Sequence, residues 1–299
     1  MASIVIGCSQ GRVLGKLLAK RLKIPYFDLS TEKFPDGETR IRFRQKLSGK
    51  KVLLVQSMYP FPNDSLVELL LATETARELG AKHVFAVVPY FAYARQDTRF
   101  NDGECVSNKI VARMVEDAGA DAFITVATHL HRISSLRDIF TRIHSQNVLL
   151  GKEIADYAIA RKLKPSLVVG PDWESKPLVR EVALRLHCPS YVFRKQRLSG
   201  RKVKSFLTPG LDCRGKRVLL VDDIASTGNT LVSVAKILKK NGAKSVDCAV
   251  AHLLDEKGGK SVLRKGVDSL ASSNSVSSAF SKIDCSQALA HAVARTDRF

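Results

Sequence analysis

The sequence predicts an α/β protein that contains two copies of one domain, each with a mostly parallel sheet. Apolar runs typical of buried strands alternate with segments of helical periodicity along the chain. Three blocks of the first half also recur in the second half, in the same order. Residues 4–29 match residues 167–193, GKKVLLVQS at Gly49 matches GKRVLLVDD at Gly215, and GAKHVFAVVPY at Gly80 matches GAKSVDCAVAH at Gly242. This matched order indicates the duplication of a whole domain.

The domain boundary is expected just after the strand that contains His144. We assign residues 1–146 to the N-terminal domain and residues 147–299 to the C-terminal domain, because a helical pattern resumes near Ile154. Strands that alternate with helices predict right-handed crossovers in both domains.

Two segments of the first domain combine turn residues with side chains of the kinds that bind ligands. FPDGETRIRF, from Phe34, begins with a Pro-Asp-Gly turn and continues as a strand, which is typical of a hairpin. VVPYFAYARQDTRF, residues 87–100, ends a buried strand in aromatic and basic side chains. Such side chains can stack on a base and meet phosphates. Taken alone, each segment is equally consistent with an ordinary surface loop.

Two further segments carry candidate metal or catalytic groups. VATHLHRIS places His129 and His131 on one face of a strand, which suits a metal pair or two ordinary polar residues at a strand end. In the second domain, Asp172 follows a buried strand. FRKQRLSGRKVKSF, residues 193–206, is strongly basic with a central glycine. It is either a solvated hairpin or a loop that closes over phosphates.

The most informative stretch is residues 218–231, VLLVDDIASTGNTL. Its apolar start predicts a strand buried on both faces, with Asp222 and Asp223 at the carboxyl end, where open α/β sheets bind ligands. A polar loop then precedes a helix, which is typical of a phosphate cradle. The loop comprises Ser226, Thr227, Gly228, Asn229 and Thr230. Two carboxylates beside a phosphate indicate a second partner: ribose hydroxyls, a magnesium ion, or both. The alternative is a capped βα turn with two solvated acids.

The duplication is imperfect at this stretch. The first copy has Gln56 and Ser57 in place of Asp222 and Asp223, and a proline-interrupted loop follows. The second domain should therefore hold the sugar phosphate, which leaves the first domain free for another task.

The composition narrows the class of protein. The chain has 299 residues with 45% hydrophobic content, enough for two full cores, and no apolar run of membrane-spanning length. The first residues read as a strand and not as a secretory signal. The six cysteines show no paired metal spacing, which favours a reduced, cytoplasmic protein.

The net charge of +19 raises the question of nucleic acid. The basic residues are spread along the chain, however, with no basic tail, zinc-finger pattern or aromatic RNA-binding signature. We therefore expect polyanionic metabolites as ligands, and neither nucleic acid nor a membrane as a partner.

The stretch at residues 218–231 resembles the phosphoribosyl-pyrophosphate (PRPP) loop of the type I phosphoribosyltransferase fold. With the other segments, it makes the whole chain resemble the ribose-phosphate pyrophosphokinase (PRPP synthetase) family. The resemblance implies an α/β fold of two duplicated type I phosphoribosyltransferase-like domains with mostly parallel sheets.

The resemblance also implies roles for individual residues. The ATP-binding residues would be Phe34, Asp36, Gly37 and Glu38 in a hairpin that serves a neighbouring chain, and Arg95, Gln96, Asp97 and Arg99. Lys195 and Arg197 would be catalytic, and His131 and Asp172 would bind the metal. Ribose 5-phosphate would contact Arg197, Asp222, Asp223, Ser226, Thr227, Gly228, Asn229 and Thr230.

The implied reaction transfers the diphosphoryl group of ATP to the C1 hydroxyl of ribose 5-phosphate, with Mg²⁺ or its substitute Mn²⁺ as cofactor. The implied assembly is a homo-oligomer with a shared ATP site. Three departures from the family pattern suggest a divergent branch: His129 replaces an aspartate, Glu174 and Ser175 replace two glycines, and Ser226 replaces an acid. Two alternatives remain: a weakly active regulatory homologue, and a phosphoribosyltransferase that consumes PRPP.

Overall fold

The chain forms two compact units, one comprising residues 1–148 with the segment that begins at Ser286, the other Leu149–Cys285. The computed structural model describes residues 1–128, 130, 133, 135–199, 202–206 and 211–296. In this part of the chain, no helix is both long and apolar enough to cross a bilayer.

The first unit contains a six-stranded parallel sheet and a separate antiparallel hairpin. Its strands are β1 (Ser3–Gly7), β2 (Tyr26–Asp28), β3 (Ser30–Lys33), β4 (Thr39–Arg42), β5 (Lys51–Val55), β6 (His83–Val88), β7 (Ala122–Val126) and β8 (His144–Val148). Its first three helices are α1 (Arg12–Leu22), α2 (Pro62–Glu78) and α3 (Ser107–Asp117), and Leu136–Asp138 forms a 3₁₀ turn. The sheet order is β2-β1-β5-β6-β7-β8, and β3 pairs with β4.

The second unit repeats this arrangement. Its helices are α4 (Gly151–Ala160), α5 (Lys176–Leu186), α6 (Asn229–Lys240) and α7 (Glu256–Lys265). Its strands are β9 (Leu167–Gly170), β10 (Ser190–Val192), β11 (Arg194–Ser199), β12 (Lys202–Phe206), β13 (Arg217–Ala225), β14 (Ser245–Leu253), β15 (Ser269–Ser273) and β16 (Ser281–Ile283). The order β10-β9-β13-β14-β15-β16 reproduces that of the first sheet. The predicted duplicated α/β fold is therefore confirmed.

The apolar runs form the central strands, as their composition predicts. In β5, Val52 to Val55 are fully buried, and in β13 Val218 to Val221 are at most 1% exposed. Both faces of these strands are covered, because the crossover helices lie on both sides of a parallel sheet. The polar residues that follow such strands therefore lie at the carboxyl edge of each sheet.

The predicted range 147–299 assigns the last helix, α8 (Ser286–Thr296), to the second domain. In the structure this helix belongs to the first unit instead. It packs against α1, β7 and β8 of the first unit. Leu289 and Val293 are buried there, and the Gln146 side-chain amide donates to Thr296 Oγ1 at 2.7 Å. The apolar face of α8 reveals that the helix is buried, but its periodicity carries no information about which sheet it covers.

We predict that Leu289→Ala lowers the free energy of unfolding by about 2–5 kcal/mol, because it empties a fully buried site between α8 and the first sheet. The exposed Arg295→Ala on the same helix should change it by less than about 0.5 kcal/mol. Urea denaturation compares the two variants. Equal, small effects would mean that α8 does not contribute to the first core.

Candidate active site

The carboxyl edge of the second sheet gathers three acidic residues. β9 and β13 are parallel neighbours, paired from Val218 with Leu167 to Leu220 with Val169. Asp172 follows β9, and Asp222 and Asp223 lie towards the end of β13. Asp172 and Asp222 are only 8% and 7% exposed. Buried carboxylates need compensating partners, so this edge is built to hold a ligand or an ordered polar network.

The strand that carries Asp222 and Asp223 is longer than its sequence indicates. The apolar run ends at Val221, but β13 continues to Ala225 because it stays paired with β14 as far as Leu253. The backbone N–H of Asp223 donates to Asp222 Oδ1 at 3.0 Å. Burial first, and then the nearby Asp222 carboxylate, raise the pKa of Cys248 well above its usual value. That neighbouring thiol is therefore neutral at physiological pH.

The polar loop after β13 is short and leads directly into α6. The sequence predicts that Asn229 and Thr230 lie in the loop. The helix begins at Asn229, however, so both residues belong to its first turn. Gly228 is the N-cap with φ of 75°, and no side chain caps the helix. The geometry of a helix leaves the N–H groups of its first turn without intrahelical acceptors. Together with the helix dipole, these groups favour an anion at this position.

Helix α7 supports this loop through a glycine that the sequence reasoning missed. A Cβ on Gly258 would lie 2.6 Å from the Ser226 carbonyl oxygen and 3.0 Å from the Thr227 carbonyl carbon, so only a glycine permits this close approach. Asp255 caps α7 by accepting from the N–H groups of Lys257 and Gly258. The adjacent glycines in EKGGKSV are the signal in the sequence.

Asp172 organises the turn before α5. Its Oδ1 accepts from the backbone N–H groups of Glu174 at 3.1 Å and Ser175 at 3.3 Å. Ser175 Oγ in turn donates to the Asp172 carbonyl oxygen at 2.7 Å. Glu174 and Ser175, at the positions where the resemblance implies two glycines, therefore take part in an ordered turn around the carboxylate.

The structure describes the remaining predicted residues of this site only in part. Lys195 and Arg197 lie on β11, opposite Ser205 and Val203 of β12, but their side chains lie outside what the structure describes. The predicted metal residue His131 and its neighbour His129 also fall outside the described residues. Among the residues that are described, no group of three His, Cys, Asp or Glu could hold a metal ion.

The predicted ATP hairpin lies in the first unit as an exposed β3–β4 turn. Gly37 has φ of 94°, and its N–H donates to the Phe34 carbonyl oxygen at 2.9 Å. The Phe34 N–H donates to the Glu38 carbonyl oxygen at 2.9 Å, and Asp36 Oδ1 accepts from the Glu38 N–H at 3.1 Å. Phe34 is 47% exposed, so its ring is accessible at the tip of the hairpin.

The second predicted ATP segment is a turn that follows β6. Arg95 and Arg99 are exposed, whereas Asp97 is 6% exposed. Helix α3 holds this turn: the Asn108 N–H donates to the Gln96 carbonyl oxygen, and Ser107 Oγ donates to the Tyr93 carbonyl oxygen at 3.1 Å. The predicted ATP residues thus lie in the first unit and the predicted sugar residues in the second.

Two family descriptions match the chain, one for each half. Residues 3–119 match the N-terminal domain of ribose phosphate pyrophosphokinase, and residues 143–285 match the phosphoribosyl transferase domain.

Relatives match over almost the whole chain. Ribose-phosphate pyrophosphokinase from Methanobrevibacter smithii is 36% identical over 96% of this chain and 99% of its own length. The Methanopyrus kandleri protein of the same name is 37% identical over 97% and 98%. The crystal structure of phosphoribosylpyrophosphate synthetase from Mycobacterium smegmatis has the same fold, with a TM-score of 0.85 and 22% identity over 100% of this chain and 99% of that one.

We predict that Gly258→Ala weakens the binding of ribose 5-phosphate at least about fivefold, because the added methyl group displaces the Ser226–Thr227 backbone. Isothermal titration calorimetry at fixed ionic strength measures this. Lys260→Ala, on the exposed face of the same helix, is the control and should bind normally. A folded Gly258→Ala protein with unchanged affinity would show that the loop does not bind the ligand.

Proposed function

This chain belongs to the ribose-phosphate pyrophosphokinase family of enzymes, and we propose that it transfers the β,γ-diphosphoryl group of ATP to the C1 hydroxyl of ribose 5-phosphate. The products would be PRPP and AMP. The observation that carries this proposal is the edge of the second sheet, where Asp222 and Asp223 precede an uncapped helix N-terminus.

In the proposed complex, each half of this edge binds one half of the sugar phosphate. The 5-phosphate lies against the loop at Ser226–Gly228 and the first turn of α6, where N–H groups and the helix dipole favour an anion. Asp222 and Asp223 accept hydrogen bonds from the ribose hydroxyls. Binding the phosphate and the hydroxyls together fixes the position of C1, which is the main requirement for an in-line displacement.

The proposed chemical step needs no covalent enzyme intermediate. The C1 oxygen forms a bond to the β-phosphorus of ATP while the bond from that phosphorus to the α,β-bridging oxygen breaks. That oxygen leaves with AMP, and the C1 hydroxyl loses its proton. Negative charge builds on the diphosphoryl oxygens and on the leaving AMP, and the family resemblance assigns Lys195 and Arg197 of the basic β11 segment to stabilise it.

Carboxylate oxygens are the ligands that Mg²⁺ prefers, and Asp172 and Asp222 lie at the ends of neighbouring strands. Because the described residues form no three-ligand metal group, a cation here would take its other ligands from the substrates' phosphates and water. We propose Mg²⁺, with Mn²⁺ as a substitute, as the cofactor that neutralises the ATP phosphates. Asp172 would contact it while its Oδ1 continues to order the turn. The role of His131 remains a prediction from the family resemblance.

We further propose that the ATP site is shared within a homo-oligomer, where the hairpin of one chain, with Phe34, Asp36, Gly37 and Glu38, serves a neighbouring chain. The exposed phenyl ring of Phe34 supports this, since a base can stack on it. Arg95, Gln96, Asp97 and Arg99 are assigned to the same nucleotide.

A cytoplasmic location is also proposed. The six cysteines are all free and four of them are buried, as expected in a reducing compartment. ATP and ribose 5-phosphate are the proposed partners, and nucleic acid is not one.

We predict that the purified chain, incubated with ATP, ribose 5-phosphate and Mg²⁺, forms AMP and PRPP in equal amounts. Chromatographic quantification of both products tests this. PRPP consumption with a nucleobase would instead identify a phosphoribosyltransferase, and binding of both substrates without products would identify a regulatory homologue. Either result contradicts the proposal.

We predict that two inactive double variants regain activity when co-expressed. Asp36→Ala with Glu38→Ala damages the donated hairpin, and Lys195→Ala with Asp223→Ala damages the resident half. Random mixing in a symmetric assembly should restore at most about a quarter of the activity. Differently tagged chains verify that mixed assemblies form, and mixed assemblies without activity would place the hairpin outside a neighbour's site.

A further inference from the structure

The first unit has its own polar cluster at the sheet edge that corresponds to the acidic edge of the second unit. Gln56, which stands in place of Asp222, is fully buried at the end of β5. Its Nε2 donates to Glu68 Oε2 at 2.7 Å, and its Oε1 accepts from the Gln10 N–H at 2.9 Å. The negative charge that Gln56 contacts is therefore the carboxylate of Glu68, a side chain of the protein itself.

Glu68 lies on α2 and is only 2% exposed. Its Oε1 accepts from the Ser9 N–H at 3.0 Å and from Thr31 Oγ1 at 2.6 Å. Its Oε2 accepts from Gln56 Nε2 and from Ser9 Oγ. Four donors on one carboxylate offset much of the cost of burying a charge, so the side chain is held in one position.

These bonds join three separate segments, which we call the Glu68 clasp: Ser9 of the β1–α1 loop, Gln56 at the end of β5, and Thr31 of β3. Thr31 is the member that reaches the hairpin, since β3 is its first strand. The β3–β4 pair forms a two-stranded sheet of its own, apart from the six-stranded sheet. An isolated two-stranded hairpin is at best marginally stable, so its direction depends on how its base is attached.

Just before β3, the fully buried Leu29 anchors the chain through its N–H, which donates to the Gly7 carbonyl oxygen at 2.9 Å. Within the hairpin strands, the polar contacts to the other described residues of the unit are the Thr31–Glu68 bond and an ion pair of Lys33 Nζ with Asp64 Oδ1 at 2.8 Å, whose side chains are both about half exposed. An exposed ion pair of this kind contributes little orientation, whereas a hydrogen bond to a buried, saturated carboxylate contributes much. The apolar side chain of Ile41 packs on the core from β4.

We propose that Glu68, acting through Thr31, is a positioning residue for the nucleotide hairpin. This carboxylate lies at the edge of the first sheet that corresponds to the proposed sugar-phosphate edge of the second. With Ser9 and Thr31 it lines a cavity of about 320 Å³ and supports the base of the hairpin. This inference rests on the proposed function of the hairpin in binding ATP.

The decisive variant is Thr31→Val, which removes one hydroxyl and leaves the other bonds of the clasp in place. The KM for ATP should rise about fivefold or more, while kcat and the KM for ribose 5-phosphate stay within about twofold, because the variant removes the hydrogen bond that orients the hairpin and leaves the proposed catalytic and sugar-binding groups unchanged. Thr31→Ser keeps the hydroxyl and should behave as the wild type.

Thr39→Val is the matched control on the opposite strand. The Thr39 hydroxyl makes no hydrogen bond with the part of the chain that the structure describes, so this variant should keep the wild-type KM for ATP. An unchanged KM for ATP in Thr31→Val, or an equal rise in Thr39→Val, overturns the proposal. A rise in both KM values would indicate general damage and also overturns it.

Amide hydrogen exchange separates this inference from the proposed function. In Thr31→Val, and in Glu68→Gln, the amides of residues 33–40 should exchange faster than in the wild type, while those of β5 and β6 stay protected. A wild-type chain without PRPP synthesis would refute the function, and the exchange comparison would still decide whether the clasp orders the hairpin. Unchanged amide exchange at residues 33–40 contradicts the inference that the clasp orders the hairpin.

Discussion

The need to satisfy buried carboxylates at the carboxyl edges of two parallel sheets governs how the two halves of this chain differ. Both edges place polar side chains at the ends of buried strands, where an unpartnered charge is costly. In the first unit the protein meets this demand internally, because Ser9, Thr31 and Gln56 donate to Glu68. In the second unit, Asp222 and Asp223 stand beside an uncapped helix end, an arrangement that suits a ligand carrying both hydroxyls and phosphate. In the function we propose, one fold thus yields a support for the hairpin in one half and a binding site in the other.

Close backbone approach is the second requirement for both edges. Gly258 lets α7 pack against the backbone of the phosphate loop, and a Cβ there would collide with Ser226 and Thr227. In the first unit, a Cβ on Gly11 would lie 1.7 Å from the Val55 carbonyl oxygen, so this glycine brings the β1–α1 loop against the end of β5. That contact also places Ser9 and Gln10 within reach of Glu68 and Gln56. In both units, glycines let two segments approach closely. In the first unit, polar groups of these segments then form hydrogen bonds with each other and with Glu68.

Much of this architecture could be predicted from the sequence, because the repeated blocks indicate a duplicated domain, and buried apolar runs that alternate with helices indicate mostly parallel sheets. The two aspartates and the loop after them were recognisable because their chemistry is local in the chain. Contacts between distant segments were not recognisable. The pairing that extends β13 to Ala225 depends on β14, the destination of α8 depends on α1 and β7, and Glu68 has the helical context of an ordinary surface acid. The roles of Lys195, Arg197 and His131 rest on family resemblance alone, because their side chains lie outside what the structure describes.

The number of ribose 5-phosphate molecules bound per chain tests most directly the claim that only the second of the two duplicated edges binds the sugar phosphate. Equilibrium dialysis with labelled sugar phosphate, on the wild type and on Asp223→Ala, gives this number. The account predicts one molecule per chain, with binding lost or strongly weakened in Asp223→Ala. Two molecules per chain, or one molecule whose binding survives Asp223→Ala and is lost in Glu68→Gln, would contradict it.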